Sequence, residues 1–298
     1  MRKLYMLIFA VLLVSAVAAL QQQDYSQVEI KTAKVAGNVY MLESGVAGNI
    51  GVSVGEDGVL MIDDQLAPLS DKIKAVIKEL GGGAPKYILN THWHGDHTGG
   101  NEIFGRDGVV IAHTNVRKRL SEDQNLAFFN HRVPASPQAA WPVITFDQSL
   151  SIHFNGEEVQ VMHYPTGHTD GDAVIFFKGS NVVHMGDNFF SGRFPFIDLD
   201  SGGDLAGLIQ NTEAVLNQLP EDVKVIPGHG PLSTKEDLKK FHNMLLSSST
   251  IVQGHINDGK TLEEIQKAGL PAEWQSWSWP FISQDKWLAI VYNSLKKG

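Results

Sequence analysis

The chain of 298 residues carries no Cys, 24 Lys and Arg against 33 Asp and Glu (formal net charge -9), 12 His and 43% hydrophobic residues. Without Cys there is no disulfide scaffold and no thiol nucleophile, and any metal site must be built from His, Asp and Glu. The apolar content, beside only 19% charged residues, excludes intrinsic disorder, and the acidic balance disfavours a nucleic-acid partner, which needs clustered Lys and Arg.

Residues 1–20 read as a secretory signal peptide. Arg2 and Lys3 form a basic start, Leu4 to Val14 is an unbroken apolar run, and Ser15 to Ala19 offers small residues for cleavage. An uncleaved membrane anchor is the competing reading, opposed by Gln21, Gln22 and Gln23, which follow without a basic stop-transfer cluster. Removal of Arg2 and Lys3 takes the net charge from -9 to -11. The expectation is an exported chain, periplasmic or secreted, with no membrane insertion after cleavage.

Residues 21–298 are expected to form a single domain with a helical, Trp-rich tail from about 233. Val35 to Leu42 is predicted as a strand, and Asn49 to Val54 with Val59 to Ile62 as a hairpin around Glu56-Asp57-Gly58. Ser70 is a candidate N-cap for a helix that buries Ile73, Val76, Ile77 and Leu80 and stops at Gly81-Gly82-Gly83. Lys86 to Asn90 is a short strand running into THWHGDHTGG. Val109 to Ala112 is another, followed by a short helix from Thr114. The polar, aromatic-bearing stretch from Glu122 to Trp141 is long for a connection and reads as a lid or an ordered surface loop.

The pattern then restarts. Leu150 to Phe154 and Glu158 to Tyr164 flank the turn Asn155-Gly156, and Ala173 to Phe177 and Val182 to Met185 flank Gly179-Ser180-Asn181. A helix begins near Asp204 and Val223 to Ile226 returns as a strand. Helices are predicted over Lys235 to Val252, Thr261 to Ala268 with Thr261 as N-cap, and Gln284 to Leu295. Two rounds of hairpins followed by βα units predict an α+β fold, an αββα sandwich of two mixed β-sheets with helices on the outer faces.

Four loops concentrate the chemistry. His92, His94 and Asp96 alternate with Trp93 and Gly95, so an extended backbone aims all three side chains one way, and His97 adds another imidazole. His168, Asp187 and His229 each follow a strand beside Gly. Three imidazoles and a carboxylate within six residues form an N/O donor set suited to zinc, manganese or iron.

On these residues the chain resembles the metallo-β-lactamase-fold hydrolase superfamily, from about Val35 to Leu232. HWHGDH matches the signature H-x-H-x-D-H without departure, and His168, Asp187 and His229 fall in the expected order. The resemblance implies one metal on His92, His94 and His168, a second on Asp96, His97 and His229, and Asp187 bridging the two. Asp63, in MIDD, would orient a ligand from behind, with Asp64 its less favoured neighbour. Two zinc ions are implied, with iron or manganese as alternatives. Paired metals acidify a shared water for attack on a carbonyl, and Asp96 would orient the nucleophile or carry its proton.

The activity implied is hydrolysis of a carbonyl bond in a small-molecule ester, lactone, thioester or amide, and Asp187, which stands where the best-known lactamase branch has Cys, favours the ester, lactone and thioester members. β-Lactam hydrolysis, a mononuclear iron persulfide dioxygenase using His92, His168 and Asp187, and a non-catalytic binding module are the alternatives. Trp274, Trp277, Trp279 and Phe281 read as a packing strap over the helices rather than a substrate wall. Phe128, Phe129, His131 and Trp141 are the preferred apolar wall. His113, His153, His163, His184, His242 and His255, together with His131, have no ligand-like context.

Overall fold

The computed structural model describes residues 24–297. The signal segment read at 1–20 lies outside them, and among the described residues no helix is long and apolar enough to cross a membrane.

The first half contains β1 (Lys31–Ala36), β2 (Val39–Glu43), β3 (Ile50–Gly55), β4 (Gly58–Ile62), α1 (Ser70–Glu79), β5 (Pro85–Leu89), α2 (Gly95–Thr98), α3 (Asn101–Phe104), β6 (Val109–His113), α4 (Thr114–Leu120), the ribbon β7 (Gln124–Leu126) and β8 (His131–Val133), and β9 (Ile144–Phe146). The second half contains β10 (Ser149–Phe154), β11 (Glu157–His163), β12 (Ala173–Phe177), β13 (Val182–His184), α5 (Leu205–Leu216), β14 (Lys224–Ile226), β15 (Ser233–Thr234), α6 (Lys235–Asn257), α7 (Leu262–Ala268) and α8 (Gln284–Lys297). One sheet has the order β1-β2-β3-β4-β5-β6-β9 and the other β10-β11-β12-β13-β14-β15. Both are mixed: β4, β5, β6 and β9 run parallel, as do β13 and β14, while the remaining neighbours are antiparallel.

Strand alternation builds the layers. Leu60 and Ile62 of β4 face the core between the sheets, where they meet Ile175 and Phe177 of β12. Their neighbours Val59 and Met61 face outward onto Ile73 and Ile77 of α1. On the second sheet Val174 and Phe176 face outward, into a cluster with Leu208, Phe241 and Trp287 of α5, α6 and α8. Because successive strand side chains point to opposite faces, a strand covered on both sides must be apolar throughout, as β4 and β12 are. Each fully buried side chain of this kind contributes about 1.5–3 kcal/mol.

The αββα sandwich is as expected, with local corrections. The strand read over Val35 to Leu42 is two strands, because Gly37 takes a left-handed φ of 51° and turns the chain. Ser70 is not an N-cap: a 3-10 turn over Ala67–Leu69 leads into α1 and places Ser70 inside it. α4 does begin at Thr114, with His113 as its N-cap accepting from Asn115 N. Thr261 does cap α7, in a reciprocal pair with Glu264. The Glu122 to Trp141 stretch is ordered by the β7–β8 ribbon, and Arg119 anchors its start through two 2.7 Å bonds to Asp170.

Candidate metal centre

The predicted site residues lie in the segments that follow strands, Asp96 and His97 in the short helix α2 and Asp187 in a 3-10 turn. His92 to His97 follow β5, His168 follows β11, Asp187 follows β13 and His229 follows β14. The first loop is fixed by a reciprocal amide pair between Asn90 and Asn101, at 3.0 and 3.1 Å, and by Thr98 Oγ1, which donates to the carbonyls of Trp93 and His94. Asn49 joins it to the second half, donating through Nδ2 to the carbonyls of Pro227 and Gly230.

The folded chain brings the seven candidates into two groups. His92, His94, His168 and Asp187 form one, and Asp96, His97 and His229 the other, with the donor atoms in each within 4.8 Å of one another. Asp187 stands between them: its Oδ2 is 3.5 Å from His168 Nε2 and 3.4 Å from His229 Nε2, and its Oδ1 is 3.1 Å from His97 Nε2. His229 Nε2 is also 3.3 Å from Asp96 Oδ2.

The far nitrogen of four of these rings is held from behind. His92 Nδ1 meets Thr91 Oγ1 at 3.0 Å, His94 Nε2 meets Asp198 Oδ2 at 2.9 Å, His168 Nδ1 meets the Phe196 carbonyl at 2.7 Å and His97 Nδ1 meets Asp63 Oδ2 at 2.7 Å. A carboxylate or carbonyl accepts the ring proton, which leaves the opposite nitrogen as a free donor to a metal. Asp63 therefore sits where the resemblance placed it, and its carboxylate also accepts from Thr91 N and Oγ1. Asp64 is buried and turned away, accepting from Gly100 N. The sequence reading missed Asp198. The only signal was an acid inside the apolar segment FPFID.

Electrostatics match this arrangement. Burial, reinforced by repulsion from neighbouring imidazoles and only partly opposed by Asp187, lowers His92 and His168, His168 to about 4, so both are neutral donors. Burial would raise Asp96 and Asp187, yet the surrounding imidazoles hold both carboxylates below their usual range. Burial opposes charge on His229 too, but Asp187 and Asp96 outweigh it and lift the ring to about 9. Charged carboxylates and clustered imidazoles without a bulk counterion are the balance that a divalent cation completes. Buried His92 Nε2 also has no hydrogen-bond partner, so the donor set fits a metal.

Above the site opens a cavity of about 580 Å³, whose lining includes Trp93, Phe129, His131, Phe196, Trp279 and Phe281. The tail is thus divided: Trp274 is buried in the helical core, whereas Trp279 and Phe281 face the cavity, correcting the strap reading for those two. Phe129 and His131 line the wall as expected. Phe128 packs behind Phe129, and Trp141 lies under Arg117 with Nε1 donating to the Ser136 carbonyl, so neither is wall. His113 and His163 stack on each other at 3.7 Å, away from the site.

Two facing sheets and a rim of His and Asp define a metal-dependent hydrolase. The metallo-beta-lactamase superfamily model matches residues 44–229, and the chain belongs to that superfamily. It is similar to the probable metallo-hydrolase YqgX of Bacillus subtilis (strain 168), 31% identical over 179 residues that cover 58% of this chain and 82% of the relative. It is also similar to a hydroxyacylglutathione hydrolase of Pelagibacter ubique (strain HTCC1062), 30% identical over 149 residues, covering 48% of this chain and 51% of the relative. A solved metallo-beta-lactamase from Pontibacter korlensis shares the fold with a TM-score of 0.59 and 19% identity, over 73% of this chain and 99% of that one.

Proposed function

We propose that this protein is an exported, periplasmic or secreted hydrolase with two zinc ions, opening a carbonyl bond in an ester, lactone or thioester. The observation that carries the reading is the bipartite donor set, with Asp187 within reach of both groups and four imidazoles fixed from behind. His92, His94 and His168 would hold one ion, Asp96, His97 and His229 the other, and Asp187 both. When bound, such ions supply Lewis acidity that acidifies water and polarises the carbonyl.

The chain's own groups do the rest. Asp96 has the most accessible carboxylate of the site, one third exposed on the cavity floor. Held ionised by its neighbours, it orients the attacking water and carries a proton toward the leaving group. Phe190, stacked on His229 at 5.0 Å, and Trp93 keep bulk water from the sides of the site. The hydroxyacylglutathione hydrolase similarity supports a thioester or ester in preference to a β-lactam, as does Asp187 in place of Cys.

Metal analysis of the purified chain, with turnover of a panel of ester, lactone, thioester and β-lactam, tests this reading. Two zinc per chain and loss of at least about 100-fold in kcat for Asp96→Ala are expected, in the usual range for general acid–base groups. One iron with oxygen consumption on a thiol substrate, or unchanged turnover in Asp96→Ala, would overturn it.

A further inference from the structure

We infer that the pocket selects carbonyl substrates with an aromatic or branched apolar group beside the scissile bond, read by Phe281 of the tail and Phe129 of the β7–β8 ribbon. The inference rests on the hydrolase reading above and names the substrate class within it.

Four rings form an arc over the site. Phe196 lies 5.8 Å from His94 and 5.9 Å from His168, ring centre to ring centre, at one end of the donor set. Phe129 follows at 5.0 Å from Phe196, and Phe281 stacks on Phe129 at 5.0 Å with 22° between planes. Trp279 lies 5.5 Å from Phe281 and 5.8 Å from His229, at the other end. The arc therefore spans both donor groups, with Phe281 near its middle.

Half of this arc lies outside the matched part of the superfamily: Trp279 and Phe281 lie beyond residue 229, where the match ends, while Phe196 and Phe129, the latter in the long connection between α4 and β9, lie within it. Its placement is not accidental packing. Trp279 Nε1 donates to the Phe194 carbonyl at 2.9 Å, and Lys286 Nζ donates to the Phe281 carbonyl while covering the Phe129 ring at 5.8 Å. Phe281 nevertheless stays 42% exposed, while Trp274 of the same segment is 9% exposed. A ring fixed by its backbone yet left open to a cavity is a contact surface for a ligand.

The arc itself offers a ligand no free side-chain hydrogen-bonding atom. Its single side-chain hydrogen-bonding atom, Trp279 Nε1, is already taken by Phe194. A polar group pressed against it would lose its water without replacement, whereas a ring or branched chain gains burial and stacking.

A methyl ester series of acetate, butyrate, hexanoate and phenylacetate, hydrolysed by the metal-loaded full chain and followed by acid release, tests the inference beside a binding measurement that needs no turnover. The binding probe is 4-phenyl-2-butanone, which carries carbonyl and ring but no hydrolysable bond, against acetone, followed by calorimetry. Phenylacetate should exceed acetate by about tenfold or more in kcat/KM, in line with the selectivity of apolar pockets. Phe281→Ala should remove most of that preference through KM, with a smaller loss on acetate than on phenylacetate, and abolish the extra affinity for the phenyl ketone; Phe281→Leu should restore part of both. Phe129→Ala should act in the same direction. An equal effect of Phe281→Ala on every ester, or no preference in the parent chain, overturns the inference while leaving the hydrolase reading intact. No turnover of any ester, lactone or thioester, with ring-dependent ketone binding lost in Phe281→Ala, overturns the hydrolase reading and supports the apolar subsite.

Discussion

Replacing Asp198 by Asn keeps the shape of the side chain and removes its charge, which makes it a sharp test of how the first donor group is set. Asp198 is 1% exposed, and although burial raises its carboxyl, hydrogen bonds from His94 and Ser201 keep it ionised. An ionised carboxylate only accepts, so His94 must carry its proton on Nε2, 2.9 Å away. That leaves the lone pair on Nδ1, which points at His168 Nε2 at 2.8 Å. The Asn amide can instead donate to Nε2, and the proton then moves to Nδ1, where it blocks the donor. A hydrogen bond to a charged group is worth about 1.5–3 kcal/mol, which corresponds to roughly 10- to 100-fold in affinity, the range found when partners of metal-binding His are removed. Competition against a chromophoric chelator at neutral pH should show that loss for one of two ions only. Activity should recover at saturating metal, since no reacting group has changed. Unchanged affinity for both ions would refute the tautomer argument.

Two other outcomes follow from packing and burial. A Cβ on Gly228 would fall 2.0 Å from Asp187 Oδ1 and 2.6 Å from backbone carbon of Gly186, so Gly228→Ala should cost about 1–3 kcal/mol in chemical denaturation and lower metal content; Gly254→Ala, on α6 with nothing within 4 Å, should cost nothing. His184 is fully buried between the Asn49 carbonyl and Gly186 N, and burial lowers it to about 4. It is neutral when folded and takes a proton when unfolded below about 6.5, so its contribution is complete above that pH and is lost as pH falls toward 4, by about 3 kcal/mol. Denaturation between pH 7 and 4 should show a shallower decline in His184→Gln, and equal slopes would contradict this.

The parts of the site that were readable from the sequence are those whose geometry is local. In HWHGDH four donors fall within six residues, so spacing alone marks the site; the expected strand-like alternation does not persist, because α2 begins at Gly95 and carries Asp96 into the second donor group, apart from His92 and His94. The β4 and β12 strands were equally plain, because covering both faces demands continuous apolar runs. Asp198 and the ring pair Phe129–Phe281 were not readable, because their roles depend on a partner more than 100 residues away in the chain and no local period marks it. The tail tryptophans show the same limit. Trp274 and Trp279 belong to one aromatic-rich stretch, and bonds to distant partners, from Trp274 Nε1 to Ser247 and from Trp279 Nε1 to the Phe194 carbonyl, help decide which faces the core and which the cavity. The Val35 to Leu42 error had a local cause: the apolar pattern runs through Gly37 and Asn38, and only the left-handed backbone there reverses the chain.

The seam between the two halves has a consequence for how the protein comes into being. Each donor group draws on both halves of the chain, and Asn49 laces the seam by accepting no help from local turns: its amide reaches across 178 and 181 residues to Pro227 and Gly230. Neither half can therefore assemble a complete set of donors by itself. The centre comes into existence only when the halves have docked, and a cation captured there rewards the docked state by mass action. Metal supply would then favour conformational maturation, the ion adding a further clasp to halves already joined by their shared apolar face and by polar bonds such as those of Asn49 and the pair Arg119–Asp170.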